Sequence, residues 1–290
     1  MGIIIAAAIT TAVVVALYGH LIYLLSVPAD RRALLITVLI ALPLQPLAFY
    51  FVRLPLDAGL RALIGTGGAY AFLTTFYAPL TEEPAKWLAL AVTPARRLLK
   101  ADNIVPVALA VGLGFGIGEI WFLAEQLHRV PQYAALPFWM FGGFVVERSF
   151  VCFLHGGFVL FVVERLATGR PLWPGALIGM ALHHAVNFPI YLAGIDAFGL
   201  GADAWTTIAS LFPWLVVLWL GMRMNALSKG KFRDATLGYS TCPECKTVYP
   251  RPLLALNLGP VRYERCPNCR KFHIVPVMGQ PKRANEPPTT

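Results

Sequence analysis

The chain has 290 residues, 57% hydrophobic and only 13% charged, about half the charged fraction of an ordinary soluble domain. That composition excludes a soluble globular enzyme as the whole molecule and describes an integral membrane protein. The formal charge of +9 would suit a nucleic-acid binder, but the bases lie in short loops between apolar runs and in the C-terminal tail, the distribution of membrane topology.

Apolar runs of about 20 residues or longer predict seven spans, over 3–27, 33–52, 62–93, 105–127, 138–164, 174–195 and 204–222. The first lacks a charged leading segment and is long enough to cross, so it reads as a helix rather than a cleaved signal. The third is long, and Pro84 within it predicts a tilt or break, because proline has no N–H for the carbonyl of Leu80. Arginine and lysine alternate in density along the loops. Arg31 and Arg32; Arg96, Arg97 and Lys100; Arg165 and Arg170; and Arg223, Lys229, Lys231 and Arg233 fall on one side. The other side holds Arg53, Arg61 and Arg129. The positive-inside rule then places the N-terminus outside and the C-terminus in the cytoplasm of a multi-pass protein, as in a bacterial plasma membrane.

Four of the spans carry ionisable groups, which are costly in hydrocarbon and mark functional sites by default. "APLTEEPAKWLALAV" (78–92) holds Glu82, Glu83 and Lys86; "GLGFGIGEIWFL" holds Glu119; "VVERSFVCFLHGG" holds Glu147, Arg148 and His155; "ALHHAVNFPIY" holds His183, His184 and Asn187. At about 1.5 Å per residue from the cytoplasmic ends, Glu82, Glu83, His155 and His183 lie roughly 14–17 Å deep and Glu119 roughly 21 Å. Scattered structural polar groups would have no reason to agree in depth, so the agreement predicts one shared site. Lys86 is spaced to pair with either glutamate but can neutralise only one, which leaves a second carboxylate for chemistry. Glu147 and Arg148 read as charge-balancing partners. Glu125, His128 and Glu164 sit near span ends, where an interfacial position explains them. Cys152 reads as a buried thiol.

After the seventh span the basic linker "NALSKGKFRD" leads to "TCPEC" and "RCPNC". Cys242, Cys245, Cys266 and Cys269 form two Cys-Pro-x-Cys knuckles with the spacing of a tetrahedral four-thiolate zinc site. Strand-like runs between them predict a small β ribbon whose folding energy comes largely from a structural Zn2+. The expected fold class is therefore an all-α polytopic membrane protein of about seven transmembrane helices with a small C-terminal four-cysteine zinc ribbon. The expected layout is a bundle over 1–225, a basic linker over 226–239, the ribbon over 240–276 and a disordered tail over 277–290. Such ribbons bind nucleic acid, bind protein or simply fold; the basic flanks here also suit anionic lipid headgroups, and nucleic acid is not the expected partner.

The ordered set "EEPAK", "GFGIGE", "RSFVCFLHG" and "LHHAVN" resembles the PrsW family of intramembrane proteases, within the wider CAAX-protease and bacteriocin-immunity superfamily. The likeness covers roughly residues 65–195. It implies a helix bundle with a polar cavity that hydrolyses a peptide bond in a membrane-associated protein substrate. It implies as catalytic residues Glu82, Glu83, Glu119, His155, His183 and Asn187. One glutamate of the pair would activate water, His155 would orient it, and His183 with Asn187 would polarise the carbonyl or hold the oxyanion. The doubled histidine makes His183 the match by spacing and His184 the second candidate. The superfamily is read both as glutamate-type and as metal-type; a catalytic zinc on these histidines and glutamates would lack the HExxH spacing. The rival readings are an ion-coupled transporter, for which the sequence lacks an evident inverted repeat, and a silent scaffold that interacts through its ribbon.

Overall fold

The computed structural model describes residues 1–252 and 255–277. Two compact units divide the chain, one from Met1 to Met224 and one beginning at Asn225. The first unit opens with α1 (Gly2–Leu25) and α2 (Pro28–Ile64), followed by two shorter helices, α3 (Gly68–Thr74) and α4 (Tyr77–Ala91). It continues through α5 (Ala101–His128), α6 (Phe138–Ala167), α7 (Trp173–Gly194) and α8 (Asp203–Leu227). Among the described residues α1, α2, α5, α6, α7 and α8 are the six helices long and apolar enough to cross a bilayer. The chain is thus a multi-pass membrane protein with a small C-terminal sheet region.

The long third span expected over 62–93 is divided differently. Residues up to Ile64 extend α2, and Gly65 turns the chain at a φ of +70°, a region glycine enters without steric cost. Gly67 and Gly68 follow, so the break falls where three glycines in four positions hold a helix poorly. A second break at Thr75–Phe76 begins α4, which then runs unbroken through Pro84. The expected break at Pro84 is therefore absent: the proline removes one ladder hydrogen bond, while α4 is held on several sides by α2, α5, α6 and α7. α2 has its own irregularity, a π-helical turn over Phe49–Arg53 that follows Pro46.

α5 is the hub of this unit, with every residue from Asn103 to Gly118 buried. Its alternate glycines make two faces. A Cβ on Gly112 would overlap the backbone of Gly156 in α6, and one on Gly116 would meet Cys152 Sγ at 2.5 Å. On the other face, a Cβ on Gly114 would overlap the carbonyl of Val38, and one on Gly118 that of Leu42, both in α2. Each pair is a small-xxx-small spacing, which lets helix backbones approach where lipid supplies no hydrophobic drive between them. Gly175 and Gly179 repeat the device between α7 and the Phe161 and Phe158 carbonyls of α6. Three close-packed seams thus fix α2, α5, α6 and α7 in register.

The second unit contains α9 (Lys231–Leu237), a hairpin of β1 (Tyr239–Thr241) and β2 (Val248–Pro250), and a three-stranded antiparallel sheet of β3 (Leu256–Asn257), β4 (Val261–Arg265) and β5 (Phe272–Pro276). Beyond Val277 the expected tail lies outside the described residues.

Gly112→Leu or Gly118→Leu should cost about 1–3 kcal/mol or more through overpacking at a backbone contact. Gly59→Ala, in α2 with open space around it, should cost nothing. Thermal unfolding in detergent micelles separates the two; equal tolerance at all three positions would contradict the seams.

Candidate functional site

The seams bring the polar residues of the membrane unit together. Gly118 seats the α5 backbone on α2 and leaves Glu119 as the next side chain. Gly179 seats α7 on α6 and places His183 one turn later. α4 adds Glu82, Glu83 and Lys86, and α6 adds Arg148 and His155.

The first half of the site centres on Glu83, whose side chain is 1% exposed. Its Oε1 accepts from Lys86 Nζ at 2.6 Å and faces His183 Nδ1 at 2.6 Å. A carboxylate can only accept, so Nδ1 carries the hydrogen and Nε2 is turned toward Glu82. Lys86 is wholly buried, with Nζ 4.9 Å from the Phe115 ring centre and 5.5 Å from that of Phe158. Those ring faces favour a cation that no water can reach. Phe158 also stacks on the His183 ring, with centroids 5.1 Å apart.

The second half centres on Glu119. One oxygen meets His155 Nε2 at 2.7 Å and the other accepts from Arg148 Nη1 at 2.9 Å. Arg148 also pairs with Glu147, whose side chain is largely exposed. Arg148 therefore balances both carboxylates, in keeping with the charge-partner reading of this Glu–Arg dipeptide. Among the described residues the buried Nδ1 of His155 has no hydrogen-bond partner, and its ring sits edge-on to Phe115. The His155 and His183 rings are 5.9 Å apart and join the two halves.

Glu82 differs from both. It is buried, but among the described residues its carboxylate makes no hydrogen bond, and its nearest charged groups stand off. Arg53 Nη1 lies 3.9 Å from one oxygen and His183 Nε2 3.9 Å from the other. Of the three carboxylates in the cluster, Glu119 bonds through both oxygens and Glu83 through Oε1 alone, its buried Oε2 having no partner among the described residues; Glu82 bonds through neither.

Arg53 is the residue the sequence reading missed. It was expected in an outer loop, because the second span was ended at residue 52. In fact α2 continues to Ile64, and the π turn ends on Arg53 with its guanidinium 5.5 Å from the Phe49 ring centre and 5.8 Å from that of Tyr77. The available signal was an arginine interrupting an apolar run from Leu44 to Leu56. π turns of this kind recur at functional sites.

The remaining candidates sort by geometry. His184 turns away from the cluster, stacking on Phe76 at 4.3 Å with Nδ1 3.2 Å from the Thr75 carbonyl. Asn187 is half-buried one turn beyond His183, and its amide makes no hydrogen bond within the described residues. Glu125 pairs with Arg129 at the exposed end of α5, and Glu164 accepts from Arg223 at 2.7 Å. Cys152 is buried against Gly116.

Among the described residues, one set of three or more His, Cys, Asp and Glu donors lies within 4.8 Å of one another: Cys242, Cys245, Cys266 and Cys269. The membrane cluster makes no such set among the described residues; Glu119 and Glu83 each take one ring nitrogen and leave His155 Nδ1 and His183 Nε2 without a carboxylate hydrogen bond. The two knuckles are built alike. Cys242 N–H donates to the Thr247 carbonyl and Lys246 N–H returns to the Cys242 carbonyl; Cys266 does the same with Lys271 and Arg270. Lys246 and Arg270 take the left-handed backbone, at φ of +57° and +61°. The thiolates with Tyr249 form the small core of this unit, and His273 Nε2 lies 3.3 Å from Cys242 Sγ and 3.5 Å from Cys269 Sγ. The four cysteines can hold one metal ion.

Lys86→Met would strand the Glu83 carboxylate in a dry site and should cost about 3–5 kcal/mol. Adding Glu83→Gln should recover most of that loss, and a thermal double-mutant cycle in detergent measures the coupling. Additive losses would show that the pair does not interact.

No family model matches the chain, and no solved structure matches it. Among curated proteins it is similar to an apolipoprotein N-acyltransferase of Ralstonia nicotianae, 30% identical over 171 residues. That likeness covers 59% of this chain and 29% of the relative, so it spans less than a third of the relative's length.

Proposed function

We propose that the membrane unit is a PrsW-like intramembrane endopeptidase that hydrolyses a peptide bond in a membrane-associated protein with a glutamate-activated water. The observation that carries this reading is the uncommitted carboxylate of Glu82 facing the free Nε2 of His183. A separation of 3.9 Å accommodates one water hydrogen-bonded to both groups at about 2.8 Å. Glu82 then takes a proton from that water as its oxygen attacks the carbonyl carbon, and delivers the proton to the departing amine when the C–N bond breaks. Glu83 and Lys86 hold the His183 ring in place. Glu119 and Arg148 do the same for His155, whose ring lies 5.9 Å from that of His183 and orients the water. Arg53 and Asn187 are the donors with capacity left for the tetrahedral oxyanion. A metal ion bound here would take His155 Nδ1 and His183 Nε2, the ring nitrogens that Glu119 and Glu83 leave open; every step uses the chain's own groups. α4, counted with the six long helices as a shortened seventh crossing, keeps the odd number that an external N-terminus and a cytoplasmic C-terminus require.

The likeness to an N-acyltransferase favours a second reading, acyl transfer to an amine, which passes through a similar tetrahedral intermediate. Hydrolysis is preferred because the buried Cys152 packs on Gly116 and Ser149 Oγ donates to the Val145 carbonyl, leaving neither placed as an acyl-carrying nucleophile.

Glu82→Gln should leave the protein inserted and folded while a membrane substrate accumulates uncut, with processing reduced by at least about 100-fold. Comparative membrane proteomics against the wild type reads this directly. Unchanged processing in Glu82→Gln would overturn the assignment of the base, and a substrate differing only in acylation would favour the second reading.

In the ribbon the proposed ion is Zn2+. The Cys242–Cys269 and Cys245–Cys266 sulfur separations are 3.6 and 3.7 Å, close to the roughly 3.8 Å edge of a tetrahedron with Zn–S bonds of about 2.3 Å. His273 straddles one edge as an N–H donor to two thiolates rather than as a ligand. His273→Ala should weaken zinc binding about 10–100-fold without changing its one-to-one stoichiometry, as competition with a chromogenic chelator would show. Unaltered affinity would remove His273 from the site.

A further inference from the structure

The sheet of the second unit is inverted with respect to polarity. Alternation along β4 and β5 buries Arg262, Glu264 and His273 beneath the sheet together with one apolar residue, Val275; His273 meets the cysteine sulfurs there and Glu264 accepts from Tyr249 at 3.1 Å. The opposite face is open and apolar: Leu256 is 60% exposed, Tyr263 42%, Phe272 56% and Ile274 61%. The strand register makes these one patch. Leu256, Tyr263 and Ile274 stand directly opposite one another across three strands. The Phe272 ring stacks on Tyr263 with centroids 5.3 Å apart, and Arg265 lies over Phe272 at 5.9 Å. A sheet ordinarily buries its apolar face and wets its polar one. Here the metal knuckles occupy the inner side, and the apolar side chains are left outside as a contiguous patch, which marks an interaction surface.

The chemistry of the surroundings selects the occupant. Lys229, Lys231, Lys246, Arg265, Arg270 and Lys271 are exposed in this unit, and of these Lys271 pairs with an exposed acid, Glu244. Residues 228–238 tether the sheet to the end of α8 and include the helix α9, so they reach about 25 Å. The patch therefore works within reach of a bilayer surface. An apolar patch with aromatic rings, in a unit that also exposes these bases, combines the two signals that reversible membrane binding needs.

We propose that the face formed by Leu256, Tyr263, Phe272 and Ile274 docks onto an anionic phospholipid surface, with the exposed lysines and arginines at the headgroups. The docking is independent of the peptidase reading, since it uses no residue of the membrane cluster. It would hold the sheet on the bilayer surface instead of free in solution.

The test uses the full-length protein in nanodiscs, with the photo-crosslinking residue introduced as Phe272→p-benzoylphenylalanine and bound metal measured to verify the fold. Illumination should give phospholipid adducts on β5, about tenfold more with phosphatidylglycerol than with phosphatidylcholine alone, and fewer when Ile274→Glu is added. Tyr263→p-benzoylphenylalanine gives a second reporter if the first loses its metal. Crosslinks to another segment of the same chain, to a second copy or to another protein would overturn the proposal. So would an absence of adducts from a metal-loaded protein, or adducts indifferent to lipid charge.

Discussion

The membrane unit depends on how closely the backbone of α5 approaches its neighbours. In lipid there is no hydrophobic gain in pressing one apolar helix on another, so close contact must come from shape. The four alternating glycines from Gly112 to Gly118 supply that shape on two faces at once, toward α6 and toward α2. The same segment ends on Glu119. This close packing and the charged site are therefore adjacent in sequence, and the first positions the second.

The cluster also obeys a charge constraint. Buried carboxylates are tolerated when cations and hydrogen-bond donors meet them. Glu83 has Lys86 and His183, and Glu119 has Arg148 and His155. Each group so satisfied is also immobilised, which makes it a support for a neighbouring reactive group. Glu82 has two partners at 3.9 Å and none in hydrogen-bond contact. Glu83 also keeps one buried oxygen, Oε2, without a hydrogen bond, but among the described residues Glu82 is the carboxylate of this cluster with neither oxygen bonded.

The C-terminal unit solves the opposite problem. It is too small to bury much apolar surface, and it places cysteines, a tyrosine and charged residues inside instead. Arg251 is almost wholly buried and bonds the Tyr239, Pro276 and Val277 carbonyls, tying the hairpin to the end of β5. Burial raises the Tyr249 phenol well above its ordinary range, with the neighbouring Glu264 charge adding to the effect. With cohesion supplied by the four clustered cysteines and these polar ties, the outward side chains are free to be apolar.

Much of this was legible in one dimension. Composition determined a multi-pass membrane protein, Cys-Pro-x-Cys spacing predicted four cysteines close enough to hold one metal ion, and the depth of Glu82, Glu83, His155 and His183 along their spans predicted that they would meet. The spans 105–127, 138–164, 174–195 and 204–222 agree with α5 to α8 within a few residues, because uninterrupted apolar runs leave little alternative to helix in lipid. What the sequence could not decide was rotational and long-range. Adjacent glutamates point about 100° apart on a helix, and only the packing of α4 against α7 determines that Glu83 takes Lys86 and His183 while Glu82 stays open. The same holds for His183 over His184, and for Arg53, which enters the cluster because α2 runs past its apparent end to the glycines at 65–68. Residue type and spacing record what a helix can carry; which side chain is satisfied and which is left reactive depends on neighbours distant in sequence.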